Sequence, residues 1–169
     1  YNNMIERLED SIEREYRYEI KQRNLQIQML QAQINPHFLY NTLSTLSSIG
    51  NLYGVNQVVE ISNSLADIMR YSIKANAIVP IRDEIKRVKS FVTIQEYRFA
   101  SLFETEYDVD VTLLRYPMLK FLIQPIVENA IQHGLEPKGK DGRLKIQVAN
   151  REGDIVISVS DNGVGIPAP

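Results

Sequence analysis

The amino-acid sequence predicts a chain that is all-α at first and mixed α/β afterwards, with the change near Val79. Three observations predict it. Residues 1–34 contain neither Pro nor Gly and repeat apolar residues at steps of three and four, the spacing of a coiled-coil seam. Two more helical stripes follow, separated by a Gly-containing turn. Beyond Phe99 the period falls to two, the signature of half-buried strands.

The first segment places Ile5, Leu8, Ile12, Tyr16 and Ile20 on one seam, followed by Ile27, Leu30 and Ile34. The run from Leu8 to Ile20 contains an extra four-residue step, which locally unwinds a supercoil. This is a dimerisation helix, and the phase break also allows it two registers for transmitting a signal. The helix is expected to run on into Pro36 and to kink there, because proline removes a backbone donor and crowds the preceding turn. Leu39, Leu43 and Leu46 then continue an apolar stripe, Asn51 to Asn56 with Gly50 and Gly54 read as a turn, and Val58, Ile61, Leu65, Ile68 and Met69 form the stripe of a second helix. Two such antiparallel helices make a hairpin, and two hairpins make a four-helix bundle in a dimer.

A third helix is predicted after Pro80, with Asp83 and Glu84 in its first turn where they suit the helix dipole, and it runs to about Phe99. Tyr107 to Leu113 reads as a strand. Pro117 to His133 reads as a helix with Leu119, Leu122, Ile123, Ile126, Val127 and Ala130 on one face, ended by Gly134. Residues 144–148 and 155–159 alternate around Glu152-Gly153, a β-hairpin.

Composition narrows the chemistry. Of 169 residues, 44% are hydrophobic and 24% charged, which suits a packed soluble chain. The net charge of −2 offers no basic field for nucleic acid. With no cysteine there are no disulfides, thiol nucleophiles or thiolate metal sites, and two histidines do not make a His-rich metal centre. No charged residue lies between Arg23 and Glu60, yet this stretch is rich in Gln, Asn, Ser and Thr and lacks the roughly 20 mostly apolar residues of a spanning helix.

Three clusters can carry chemistry. His37 follows the proline and shares a polar helix face with Asn41, Ser44 and Ser48. A neutral imidazole is a competent nucleophile toward phosphorus, although a lone histidine also reads as a surface residue. Glu128, Asn129, Gln132 and His133 lie opposite an apolar stripe; a carboxamide oxygen can bind Mg²⁺ and a neighbouring acid can organise water or metal, or the set can be a solvated face. Asp161-Asn-Gly-Val-Gly165 follows a strand, where an Asp can accept from an amino group and glycines let backbone approach a ligand; the same residues also form ordinary turns.

Taken together and in order, these stretches resemble one family. Gln33-Ile-Asn-Pro-His-Phe-Leu-Tyr-Asn-Thr-Leu43 is similar to the phosphoacceptor box of the LytS/YehU/YesM-type sensor histidine kinases. Phe121-Leu-Ile-Gln-Pro-Ile-Val-Glu-Asn-Ala-Ile-Gln-His-Gly134 resembles their N box, and Asp161-Asn-Gly-Val-Gly-Ile166 their first glycine box. Leu65-Ala-Asp-Ile-Met-Arg-Tyr71 and Glu96-Tyr-Arg-Phe99 resemble lesser signatures between them.

The resemblance implies a bacterial two-component protein-histidine kinase, with a coiled-coil signalling helix in residues 1–34, a dimerisation and phosphotransfer hairpin in 35–78, and the N-terminal part of an ATP-binding α/β sandwich of the histidine-kinase ATPase type in 79–169. His37 would accept the phosphoryl group of ATP, Asn129 would ligate Mg²⁺, Glu128 and His133 would flank the phosphates, and Gly134 would belong to the ATP-binding set. Asp161 would bind adenine, with Gly163 and Gly165 shaping its pocket. The phosphoryl group would pass to a response-regulator aspartate. The chain would act as a homodimer in the cytoplasmic portion of a membrane sensor, touching the membrane only through segments absent from it.

Two departures qualify the match. Phe38 stands where many histidine kinases carry an acid after the phosphoacceptor, which leaves the proton acceptor unassigned and Asn41 placed to orient the imidazole. The sequence stops at Pro169, before the ATP lid and second glycine box of the family, so residues 1–169 alone are expected to bind ATP poorly and not to autophosphorylate. A catalytically inactive helical scaffold has no need of Asn129 and Asp161 together. An ATPase of the wider fold group has no need of a Pro-His-Phe helix before its nucleotide site.

Overall fold

Asn35 and Pro36 set the start of the helix that carries His37. In the computed structural model, which describes residues 14–23, 35–73, 76–100 and 102–165, Asn35 is non-helical and Pro36 is the first residue of α2 (Pro36–Tyr53). The Asn35 side-chain oxygen accepts from the N–H groups of His37 at 3.1 Å and Phe38 at 3.2 Å. This is an N-cap with proline at the first helical position, where its missing N–H costs nothing. The expected kink within a continuous helix is therefore corrected: Pro36 opens a helix.

The chain divides into two compact units, Tyr1–Tyr40 and Asn41–Pro169. In the first, residues 14–23 form a helix, α1, exposed along its length, with Tyr16 and Ile20 of the expected seam among them. The remaining seam positions lie outside the described residues.

In the second unit, α2 ends at Tyr53 and Gly54 follows it. The Val55 N–H donates to the Gly50 carbonyl at 2.8 Å and the Gly54 N–H to Asn51 at 3.3 Å, while Gly54 adopts φ 69°. That pattern is a Schellman cap, and its left-handed residue favours glycine. The turn leads straight into α3 (Asn56–Ile73). The buried stripe of α2 is Leu43, Ser47 and Gly50, and a Cβ on Gly50 would lie 2.9 Å from Val59 Cγ2, so the two helices meet closely there.

A short strand, β1 (Ile78–Pro80), precedes α4 (Ile81–Arg98). The first two N–H groups of α4 donate to the carbonyls of Tyr116 and Leu114, both at 3.0 Å, which satisfies donors that a helix start leaves unpaired. Three side-chain pairs tie α4 to α3. Tyr97 donates to Glu60 at 2.6 Å, Lys86 pairs with Asp67 at 2.9 Å, and Tyr71 donates to Glu84. Rising numbers on α3 meet falling numbers on α4, so the helices run antiparallel.

The strands are β2 (Phe103–Val109), β3 (Pro117–Leu119), β4 (Gly142–Arg151) and β5 (Asp154–Asp161). β1 and β3 form an antiparallel pair, with Val79 opposite Met118. The second sheet has the order β2-β4-β5, with β2 parallel to β4 and β5 antiparallel to it. Between β3 and β4 run α5 (Gln124–Asn129), a π-helical turn (Ala130–Leu135) and the short α6 (Glu136–Lys138). Ile85, Val88 and Val92 of α4, Val127, Ile131 and Leu135 of the α5 region, and Leu144, Ile146 and Val148 of β4 make one core. The sheet's other face is polar, with Lys145 on Glu106 at 2.6 Å and Gln147 on Asp108 at 2.7 Å.

The α-then-α+β class holds, but several boundaries move. The strand expected over Tyr107–Leu113 begins at Phe103 and ends at Val109; Asp110 then caps a 3₁₀ turn (Val111–Leu113), its carboxylate accepting from the Thr112 N–H at 2.9 Å. The helix expected from Pro117 begins only at Gln124, because Pro117–Leu119 pairs with β1. Leu119, Leu122 and Ile126 are exposed, so they are not its core face. The helical path also continues past Gly134, to Gly139 at φ 80°. No helix among the described residues is long and apolar enough to cross a membrane.

Candidate functional site

His37 stands exposed in the first turn of α2, within the unit Tyr1–Tyr40. Asn41, Ser44 and Ser48, on the same face, are exposed as well. The Ser48 hydroxyl donates back to the Ser44 carbonyl at 2.9 Å, a local bond that leaves the helix intact.

The other candidates lie in the second unit, and the structure brings two of their clusters together. Gly134 is buried, and a Cβ there would lie 2.6 Å from Asp161 Oδ1. A Cβ on Gly163 would overlap the Cα, carbon and oxygen of Gly134. The Val164 N–H donates to the Gly134 carbonyl at 3.1 Å. Gly134 is thus required by a backbone crossing, not by a helix end. The strand-end loop is held from within, since the Gly163 N–H donates to Asp161 Oδ1 at 2.8 Å. It is held from outside as well: Lys138 Nζ donates to the Asn162 carbonyl at 2.7 Å, and Asn162 Oδ1 accepts from the Arg143 N–H at 2.7 Å. Gly165 follows at φ 74°.

Glu128, Asn129 and His133 ride on the helix that reaches this crossing. Glu128 is half-buried and accepts from the Gln124 side chain; Asn129 and His133 are exposed. The π-helical turn begins immediately after Asn129 and includes His133 and Gly134. It widens the helix by one residue per turn and so resets which side chains share a face, a feature concentrated at functional sites. Asp161 also lines an open cleft of about 590 Å³ with Arg143, Lys145 and Asn162, over the β2–β4–β5 sheet; Glu128, Asn129 and His133 do not line it. The described residues hold no group of three or more His, Cys, Asp or Glu able to bind a metal by themselves. An exposed carboxamide beside one carboxylate suits Mg²⁺, which keeps several waters and shares phosphate oxygens with its substrate.

Sequence reasoning missed a buried polar junction beside this helix. Glu84, read from the sequence only as a first-turn acid that suits the helix dipole, is fully buried. It accepts from the Tyr71 hydroxyl, from the Phe121 N–H at 2.8 Å and from the Ile123 N–H at 3.4 Å. Arg87 is also buried, its guanidinium 4.4 Å from the Phe121 ring centre and 5.2 Å from that of Tyr71. The signal lay in the Arg70-Tyr71 signature, which carried no assigned chemistry.

Comparison with known proteins gives the chain its family. Residues 25–103 match the histidine kinase family, and residues 116–169 match the histidine kinase-, DNA gyrase B- and HSP90-like ATPase family. The sensor histidine kinase YesM of Bacillus subtilis is 34% identical over 164 residues, 96% of this chain and 28% of YesM. The sensor protein LytS of Oceanobacillus iheyensis is 33% identical over 97% of this chain and 27% of its own length. The sensor histidine kinase YpdA of Escherichia coli is 36% identical over 83% of this chain and 25% of its own. The chain thus spans little more than a quarter of these relatives. It belongs to the LytS/YehU/YesM-type sensor histidine kinase family.

Proposed function

We propose that this chain is the autophosphorylating core of a two-component sensor, in which His37 takes the terminal phosphoryl group of ATP and hands it to an aspartate of a response-regulator receiver domain. The observation that carries the reading is the crossing of Gly163 and Gly134, which seats Asp161 against the end of the helix bearing Glu128, Asn129 and His133. Adenine at Asp161 and phosphates toward Asn129 then share one helix as a floor.

An imidazole nitrogen of His37 forms a bond to the γ-phosphorus, the bond from that phosphorus to the β,γ-bridging oxygen breaks, and ADP leaves. The ring's displaced proton goes to water. Such a transfer needs alignment and charge neutralisation more than covalent help. Mg²⁺, when bound through Asn129 with Glu128 beside it, supplies the neutralisation. On this reading His133 flanks the phosphates with Glu128, and Gly134, against Asp161, belongs to the ATP site. The product phosphohistidine sits at the positive end of the α2 dipole, which favours an anion.

On this reading residues 1–34 are a coiled-coil signalling helix, 35–78 a dimerisation and phosphotransfer hairpin, and 79–169 the ATP-binding part. On the same reading the chain works as a homodimer in the cytoplasmic portion of a membrane sensor; the names of its relatives support the sensor role alone.

The test uses the full-length protein and ATP labelled on its terminal phosphate. His37→Gln should abolish the protein label. His133→Gln should retain the acceptor and lose only part of the labelling rate, through weaker nucleotide binding. Label that persists on the His37→Gln protein would overturn the assignment.

A further inference from the structure

Tyr71 closes the second hairpin helix, Glu84 opens α4, and Phe121 to Ile123 lead into the helix that carries Glu128 and Asn129. These three places meet at one buried carboxylate. Glu84 has no solvent exposure, and its oxygens accept one hydroxyl and two backbone N–H groups. A buried carboxylate demands such partners, and removing one leaves the others with a costly charge.

The backbone at Phe121 is held against its preference. Its φ of 64° lies in the left-handed region, uncommon for an aromatic residue. Such a conformation persists only where the surroundings over-determine it. Here the Phe121 N–H is fixed by Glu84, the ring meets Tyr71 edge-on with centres 5.7 Å apart, and Arg87 stacks on it. Arg87 is itself an expensive choice, since its Nε and Nη1 are buried without a hydrogen-bond partner. Apolar residues would fill this space at less cost. The polar junction therefore points to a function in geometry, not in stability alone.

We infer that Glu84 and Tyr71 are positioning residues for the nucleotide site: Glu84 fixes the entry to the Gln124–Leu135 helix and ties it to the end of α3, so the placement of Glu128 and Asn129 depends on where that hairpin helix sits. This rests on the kinase reading. It gives the hairpin a direct mechanical link to the nucleotide helix, through side chains and not only through the linker between them. Tyr71 remains a donor throughout, because burial, and then the Glu84 carboxylate, push its phenol above its ordinary value.

Two substitutions in the full-length kinase test it. Glu84→Gln keeps shape but sets an amide donor against a backbone donor. Tyr71→Phe keeps the ring and removes one hydroxyl on the hairpin side. Affinity for a non-hydrolysable ATP analogue with Mg²⁺ should fall about tenfold in Glu84→Gln, as when one or two charge-assisted hydrogen bonds are lost. It should fall roughly threefold in Tyr71→Phe, and Tyr71→Phe should add nothing to Glu84→Gln, since both cut one connection. Amide exchange across residues 121–135 should quicken in both proteins. Unchanged exchange there in Tyr71→Phe, the milder variant, would overturn the link even if Glu84→Gln does not fold. Melting lowered with analogue affinity unchanged would also overturn it, leaving a purely structural role. Failure of the unsubstituted kinase to bind the analogue would instead remove the kinase reading, while the exchange measurement still decides the link.

Discussion

A single missing Cβ decides how the glycine loop meets the Gln124–Leu135 helical segment. Gly163 passes so close to Gly134 that any side chain there would occupy backbone space, and backbone on both sides is pinned by hydrogen bonds. Gly163→Ala should therefore cost about 3 kcal/mol or more of stability, beyond the usual range for overpacking a core. Gly134→Ala meets the Asp161 carboxylate, which can swing aside, and should cost less while displacing the group assigned to adenine. Urea unfolding of the two variants, together with analogue binding by the folded proteins, checks both parts. A Gly163→Ala protein as stable as the parent would mean the crossing is looser than drawn. Sequence could mark these glycines as permissive, but not say why. The reason is a contact between residues 29 positions apart, and nothing local encodes it.

Elements whose periodicity and burial agree were legible in the sequence. The stripe Ile85, Val88 and Val92 gave α4, and the alternation of residues 144–148 and 155–159 gave the β4–β5 hairpin, because in both the apolar face is also the buried face. The segment from Pro117 misled because Leu119, Leu122 and Ile126 are apolar yet exposed, so an apparent helical stripe ran through a strand and a loop. The β1 and β3 strands are three residues each, too short to show a period. Pro36 misled differently: proline breaks a helix or starts one, and the side chain before it decides. Because Asn35 supplies the cap, Asn35→Ala should destabilise the first turn of α2 by about 1 kcal/mol, whereas Asn35→Asp should hold it. Amide exchange at His37 and Phe38 in the full-length protein reads this directly. Equal protection in the alanine variant would return Pro36 to the interior of a longer helix.

The whole molecule leaves apolar surface that a single chain does not cover. Leu46, Ile49, Leu52 and Tyr53 of α2 are all exposed, with Leu52 at 78% and Tyr53 at 75%. Leu46, Ile49 and Tyr53 recur at steps of three and four, and so lie along one side of the helix. Tyr16 and Ile20 on α1 repeat the pattern at a step of four. A contiguous apolar strip of this kind on a soluble chain marks an interface. Fully burying a Leu or Ile side chain contributes roughly 1.5–3 kcal/mol, and bringing two chains together costs about 4–15 kcal/mol. One chain's strip docked on a polar surface would barely offset that cost. The same strip contributed by both protomers doubles the gain, which a two-fold pairing of hairpins would supply without any further partner. Light scattering on residues 1–169 should thus give about twice the 19.4 kDa of one chain. Leu46→Glu combined with Ile49→Glu puts four like charges into the paired strip and should return the monomer mass with helix content preserved, since both residues already face solvent on the single chain. A monomer from the unsubstituted chain, or a dimer that survives both glutamates, would move the interface away from α2.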